Sequence, residues 1–310
     1  MKQRLALLLA ALLLLCGCAP AVQPEESTAP PQTETTVPPT ETEPTEPSET
    51  QPPETLPPYV SDYDGSLGSA GSLKGTTILV SIFASDASTS WDETADAALM
   101  EKSLQHLTVA AEWLTQQAAA FRTEASFVYD WSQDSDLHYS ASFDEDLVVF
   151  NSGKYAKQEA FIQENIDADA LKEKYRADNL VYLFFFNTAY TSDVRPWSLG
   201  YTTNEDYLTE FTNLYLKFGG YDAPPATYAH EILHAFGAHD LYYAGNGISQ
   251  SFVNYCTKIE SNDIMYTVNA GDTITNEFSK LDAYYTGIGE RPVEIGQWDL
   301  IFSEHEEYSR

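Results

Sequence analysis

Two histidines four residues apart, with a glutamate beside the first, form the part of this sequence best suited to chemistry. The stretch HEILHAFGAHD (230–240) carries His230, Glu231 and His234. On a helix, at about 100° per residue, His230 and His234 project from one face a turn apart, so both imidazoles reach one ion. Glu231 points to the adjacent side, where its carboxylate can accept a proton from a water molecule activated at that ion. The spacing predicts a zinc site with a general base beside it.

The third ligand depends on how the chain turns after this helix. Gly237 stands where the helix should end, because glycine adopts the left-handed conformation of a helix C-terminus at low cost. A chain that reverses there can return a ligand six residues after His234, and that residue is Asp240. His239 is the alternative, since histidine is the commoner zinc ligand, but it requires a different turn. A distant glutamate such as Glu260 is a further alternative, and we favour Asp240.

The combined pattern resembles the metzincins, zinc peptidases with the motif H-E-x-x-H-x-x-G-x-x-H/D. The run GAHDLYY (237–243) is also similar to the Gly-x-x-Asp-Leu-Tyr of the immune inhibitor A-like bacterial metallopeptidases. This resemblance implies that His230, His234 and Asp240 bind Zn²⁺ and that Glu231 is the general base.

A second resemblance lies downstream. The stretch SNDIMYTV (261–268) resembles the Met-turn of the same clan, whose methionine, here Met265, packs beneath the zinc-binding histidines. Some metzincins carry a tyrosine two residues beyond this methionine, whereas Tyr266 follows it directly. Tyr266 and Tyr242 are therefore candidates for contact with the substrate or the transition state, and core packing is the competing role for each.

Strands and helices elsewhere in the chain must position these residues. Strands are expected near 76–85, 123–131, 146–151 and 179–187, and helices near 95–121, 156–176 and 277–289, with 195–203 either an edge strand or a loop. The order of these elements predicts an α+β fold with a central sheet. The family resemblance implies a metzincin-like catalytic domain: a twisted sheet backed by helices, an active-site helix and a smaller C-terminal subdomain.

The N-terminal residues indicate export. A short positive region and an apolar run at 5–15, too short to span a bilayer, precede LCGC (15–18). That pattern resembles a bacterial lipobox, in which cleavage before Cys18 exposes the thiol for lipid attachment. Proline, threonine and glutamate dominate the next segment, which cannot bury enough apolar surface to fold. We expect a signal peptide at 1–18, a disordered linker at 19–73 and the catalytic domain at 74–310.

Charge and cysteine content exclude several classes. The formal net charge of −31 argues against nucleic acid and anionic lipid surfaces as partners. Once Cys16 is removed and Cys18 is lipidated, Cys256 has no partner, so we expect it to be a small buried residue. His106 is expected to face solvent, and His138 and His305 are expected to be ordinary surface residues.

These observations favour an extracellular zinc-dependent endopeptidase, held on the outer face of a bacterial cytoplasmic membrane by a lipid on Cys18. It would hydrolyse protein or peptide substrates as a monomer. Two alternatives belong to other classes. One is a catalytically silent, zinc-stabilised surface binding module. The other is a solute-binding lipoprotein, although such proteins usually have two similar lobes and no internal repeat is evident here.

Overall fold

The computed structural model describes residues 68–147, 152–188, 197–199, 209–218, 221–242 and 249–293. All of them lie within one compact unit, Glu54–Arg310. The expected signal peptide, Cys18, most of the linker and His305 lie outside the described residues.

A six-stranded sheet forms the centre of the fold. In the described ranges the strands are β1 (Gly75–Ser85), β2 (Ala125–Val128), β3 (His138–Ser142), β4 (Asn179–Phe186), β5 (Trp197–Leu199), β6 (Phe211–Tyr215), β7 (Lys217–Phe218) and β8 (Tyr221–Asp222). The sheet has the order β2-β1-β4-β6-β5, with β3 pairing the second half of β1, and β7 and β8 form a separate hairpin. All pairs within the sheet are parallel except that of β5 with β6.

Parallel pairing requires long crossover connections, and helices supply those between β1 and β2 and between β3 and β4. In the described part of the chain the helices are α1 (Ala97–Ala120), α2 (Ser152–Asn165), α3 (Ala168–Tyr175), α4 (Pro225–Ala235), α5 (Gln250–Ile259) and α6 (Lys280–Tyr285). The helix α4 carries the H-E-x-x-H residues and contacts α1, β5 and β6. The candidate site is therefore built against the β5 side of the sheet.

The sheet has a core on each face. Residues 77–84 of β1 are all buried, which explains why this strand reads as a continuous apolar run rather than an alternating one. Leu79 and Phe83 pack with α1, α4, α5 and α6. Ile78 and Ile82 point to the opposite face and pack with α2 and α3. The fold is thus a mixed α/β arrangement with a largely parallel sheet, in agreement with the predicted α+β class at that level.

Several helices and strands have bounds in the structure that differ from the predicted ones. The strand expected at 123–131 spans only Ala125–Val128, and the last helix is shorter than 277–289. The helix expected at 156–176 is two helices, because the Asp167 side chain accepts a hydrogen bond from Ala170 N at 3.0 Å and caps α3. The segment at 195–203 contains the edge strand β5, one of its two expected forms. Of the strand expected at 146–151, residues 148–151 lie outside the described residues.

A short segment before β1 belongs to the packed domain. Ala70 N donates to Ala235 O at 2.9 Å, and Leu73 N donates to Thr286 O at 2.9 Å. Ala70 and Leu73 are both buried. At Gly68, a Cβ atom would lie 2.2 Å from Ala235 O, so only glycine fits this close to the end of α4. Residues 68–73 therefore connect the end of α4 with the end of α6.

Candidate metal centre

The helix α4 begins and ends as its sequence predicts. Pro224 is its extended N-cap and Pro225 its first residue, a position where a missing N–H has no cost. After the helix, Gly237 has φ +99°, the left-handed region that favours glycine. Ala238 N donates back to Leu233 O at 3.1 Å, which completes the reversal. The chain therefore turns back across its own helix.

This reversal brings three ligand atoms together. Oδ1 of Asp240 lies 3.2 Å from Nε2 of His230 and 3.3 Å from Nε2 of His234. Each of the three residues offers a ligand atom within 4.8 Å of the others. Zinc bonds of about 2.0–2.2 Å in a tetrahedron would separate neighbouring ligand atoms by about 3.3 Å. The residues present therefore fit a zinc ion.

Backbone carbonyls orient both imidazoles. Nδ1 of His230 lies 2.8 Å from Ile264 O, and Nδ1 of His234 lies 2.7 Å from Ala238 O. A carbonyl oxygen only accepts, so each Nδ1 must carry the proton and donate it. Each Nε2 then directs a lone pair towards Asp240 in the neutral tautomer. Zinc-binding histidines commonly have such support on the second ring nitrogen.

Three converging acceptors need a positive charge between them. Burial alone lowers the pKa of His230 and of His234. The Asp240 carboxylate opposes burial at both, together with Glu231 at His230 and with Ala238 O and Glu210 at His234, and both pKa values are raised. Burial also acts to raise the pKa of Asp240, yet the two imidazoles outweigh it and lower that pKa far below the usual range. The group therefore attracts either protons or a cation.

Glu231 lies beside this group and not in it. Its side chain is buried, and Oε1 lies 3.9 Å from Nε2 of His230. Burial raises the pKa of Glu231 to about 8, with His230 opposing the rise and Asp240 adding to it. Within the described residues, Oε2 has no hydrogen-bond partner. A carboxyl group in this state can take up and release a proton near neutral pH.

The two alternatives for the third ligand do not join the group. In the part of the chain that the structure describes, the convergent metal-ligating group is His230, His234 and Asp240. The ring of His239 instead packs edge-on against Tyr285, with centroids 5.3 Å apart. Glu260 is the C-cap of α5. The turn after Gly237 thus brings Asp240, and not His239, to the two imidazoles.

Met265 lies in a tight turn next to the carbonyl that holds His230. Its side chain is fully buried in the same core cluster as α4. Met265 N donates to Asp263 Oδ1 at 2.6 Å, and Leu241 N donates to Met265 O at 2.9 Å. The turn therefore contacts the segment that follows Asp240 and also carries Ile264.

The two candidate tyrosines have different surroundings. The ring of Tyr242 stacks on His230, with centroids 6.4 Å apart and planes at 24°, and 48% of the residue is exposed. The hydroxyl of Tyr266 instead donates to Thr257 Oγ1 at 2.9 Å. The structure therefore brings Tyr242 to the ligand group, whereas the Tyr266 hydroxyl is bonded to α5.

Several residues near the site carried no usable sequence signal. The carbonyls of Ile264 and Ala238 are backbone groups, which have no residue signature. Glu210 is buried, accepts a hydrogen bond from Ser69 N at 2.7 Å and acts electrostatically to raise the pKa of His234. Because β6, the strand that Glu210 precedes, was not predicted, nothing in the sequence indicated that Glu210 lies near the site.

The expectation that His106 faces solvent was wrong, and His138 is only partly exposed. His106 is buried, and its Nδ1 contacts Ala223 O at 2.9 Å, just before α4. His138 is half-buried, with its ring 4.9 Å from that of Phe83. Cys256 is fully buried, as expected.

Comparison with models of protein families finds no match for this chain, and comparison with curated proteins finds no similar sequence. Among the described residues, no helix is both long and apolar enough to cross a membrane. The case for function therefore rests on the geometry of the site and on the motif.

Proposed function

We propose that this chain is an extracellular zinc-dependent endopeptidase of metzincin type. The observation that carries the proposal is the convergence of Nε2 of His230, Nε2 of His234 and Oδ1 of Asp240, with buried Glu231 beside them. Two imidazoles and one carboxylate are a donor set that suits zinc and leaves a coordination position open, as catalytic zinc sites do.

The metal has a limited and general role. His230, His234 and Asp240 would hold zinc. The bound ion would act as a Lewis acid, polarising a peptide carbonyl and increasing the acidity of water. The backbone carbonyls at Ile264 and Ala238 keep both imidazoles in the tautomer that binds it.

Glu231 performs the proton transfers. Its carboxylate accepts a proton from the attacking water and then delivers that proton to the nitrogen of the leaving amine. Burial supports this function, because it raises the pKa of Glu231 to about 8 and brings it near the working pH. The neighbouring positive charge of a bound metal would favour the ionised form that the first transfer requires.

The substrate side of the site includes an exposed aromatic ring. Tyr242 is about half exposed and stacks on His230, so it can contact a bound peptide beside the reacting carbonyl. The strongly acidic composition argues against nucleic acid as substrate. We therefore propose a protein or peptide substrate. The enzyme would cleave it outside the cytoplasmic membrane, to which a lipid on Cys18 would anchor the chain.

The decisive experiment compares the parent chain with Glu231→Gln. We expect both to bind one zinc per chain and the variant to lose turnover of a quenched fluorescent protein substrate by about 100-fold or more. A zinc-binding parent without turnover would instead support the silent binding module. A parent that binds no zinc would support the solute-binding alternative, and an active Glu231→Gln variant would exclude the mechanism.

A further inference from the structure

Two aspartates from different elements lie close together next to Ile264, whose carbonyl orients His230. Asp263 begins the turn that contains Met265, and Asp282 lies in the first turn of α6. Both are fully buried, and their side chains are close enough that Asp282 acts to lower the pKa of Asp263 while Asp263 raises that of Asp282. Buried carboxyl groups need compensating partners, so this arrangement requires an explanation.

Each carboxyl group has one oxygen committed to a backbone N–H. Oδ1 of Asp263 accepts from Met265 N at 2.6 Å, and Oδ2 of Asp282 accepts from Ser279 N at 3.2 Å. In the described residues, the other two oxygens, Oδ2 of Asp263 and Oδ1 of Asp282, are buried and have no donor at hydrogen-bond distance, although the Ser279 side chain lies near enough to lower the pKa of Asp263. Ionised carboxylates only accept hydrogen bonds, so two such groups can bond to each other only if one of them is protonated.

We infer that Asp263 and Asp282 share a single proton, and that this acid–carboxylate pair positions His230 by fixing the turn that presents Ile264. The shared proton rests on the burial of both carboxyl groups, on their two unsatisfied oxygens and on the closeness of the two side chains. The positioning role also rests on the proposed zinc site. The pair carries a net charge of −1, with Asp282 the donor and Asp263 the acceptor.

The path from the pair to the metal centre is short. Ile264 follows Asp263 directly, and its carbonyl accepts from Nδ1 of His230 at 2.8 Å. Ile264 N donates to Glu277 O at 2.9 Å, two residues before the N-cap of α6. Because Asp282 is part of α6, the shared proton ties this helix to the turn and thereby holds the acceptor that orients His230.

The surrounding groups favour one proton rather than none. Burial raises the pKa of Asp282, and the charges of Asp263 and Glu260 add to this rise. Burial also raises the pKa of Asp263, which Ser279, Met265 N, Asp282 and the more distant His230 oppose. On α5, burial together with these carboxylates raises the pKa of Cys256 to about 12, so its thiol stays neutral.

Asparagine substitutions test the proton directly. In Asp263→Asn or Asp282→Asn, the amide oxygen can accept the backbone N–H while the amide NH₂ donates to the remaining carboxylate. Each single variant therefore keeps one donor between the two side chains and the same net charge. In the double variant, two NH₂ groups face each other and neither can accept.

The first measurement is denaturant unfolding of the metal-free full-length chain at pH 7. We expect each single variant to change the unfolding equilibrium constant by less than about fivefold. In the double variant, the unfolding equilibrium constant should increase by at least about tenfold more than the product of the two single changes. Two aspartates that act independently would give additive effects and overturn the shared proton. So would a single asparagine variant that fails to fold, because it retains both hydrogen bonds.

The second measurement is zinc affinity, determined by competition with a chromophoric chelator. We expect the single variants to match the parent and the double variant to bind zinc about tenfold or more weakly, as for other supporting groups of metal ligands. Unchanged zinc affinity in a double variant that is destabilised and still folded would overturn the positioning role alone. A parent that binds no zinc would reject the proposed function and the positioning role, while the unfolding cycle would still decide the shared proton.

Discussion

Nε2 of His234 lies 3.3 Å from Oδ1 of Asp240, although the two residues are six positions apart and Asp240 lies beyond the end of α4. The left-handed conformation of Gly237 makes this approach possible. The same reversal directs the ring of His239 against Tyr285. Which residue joins the two imidazoles is therefore a consequence of how one helix ends.

Asp240 should be essential for metal binding and His239 dispensable. We expect Asp240→Ala to weaken zinc binding by more than about 100-fold, because losing a metal ligand should cost more affinity than losing a residue that only supports a ligand. His239→Ala should bind one zinc per chain like the parent. Metal analysis after dialysis, followed by chelator competition, measures both. Loss of zinc in His239→Ala with retention in Asp240→Ala would show that the turn in solution differs from the one described.

Gly237→Ala should disrupt the metal centre, because an L-residue is strained at φ +99°. We expect a loss of about 1–2 kcal/mol in unfolding free energy together with weaker zinc binding. Gly271 is a matched control: its φ is +101°, a Cβ atom added there would meet nothing within 4 Å, and it lies outside the ligand group. Gly271→Ala should incur similar backbone strain and bind zinc normally. Equal zinc affinity in the two variants would contradict the role given to Gly237.

The metal-free chain should lose stability as the pH rises, whereas the stabilisation that zinc adds should grow. The pKa values of His230 and His234 are raised above 6.5, so their stabilising effect on the metal-free chain is complete below pH 6.5 and lost as the pH rises through the raised values. Glu231 acts in the same direction, because its pKa rises from 4.5 to about 8 and its ionisation is costly in the folded state. Zinc must displace the imidazole protons, so its stabilising effect increases with pH.

Thermal unfolding between about pH 6 and pH 9 measures this difference, at the pH values set by those shifts. We expect the melting temperature of the metal-free chain to fall across the range and the increment due to zinc to grow. Glu231→Gln should reduce the fall without removing it, since the histidines remain. A zinc increment that shrinks as the pH rises would contradict these assignments.

Gly68→Ala should destabilise the domain through a steric clash. An added methyl group would lie 2.2 Å from Ala235 O, the carbonyl at the end of α4. Relief of that overlap requires the segment before β1 to move, at a cost of about 1–3 kcal/mol. Ser69→Ala is the control, because Ser69 is exposed and its backbone N–H still reaches Glu210. Comparison of the two by thermal unfolding separates the clash from general sensitivity of the segment.

Local patterns were sufficient to predict much of the frame. The apolar runs of β1 and β4 and the helical stripe of α1 appear in the structure near their expected bounds. β6 escaped prediction although all five of its residues are buried, because FTNLY has neither a long apolar run nor alternation. The burial of His106 was missed because the broad buried face of α1 includes polar residues that contact the segment before α4.

The sequence by itself determined the helical spacing of His230 and His234, the adjacent carboxylate of Glu231 and the stop at Gly237. These are local properties, since helix periodicity and the conformational freedom of glycine need no distant partner. Only the tertiary structure decided which backbone carbonyls orient the imidazoles. It also decided that the carboxylate oxygen reaching both imidazoles belongs to Asp240. It alone revealed that Asp263 meets Asp282, because such contacts join residues distant in sequence, and burial makes their unpaired oxygens costly.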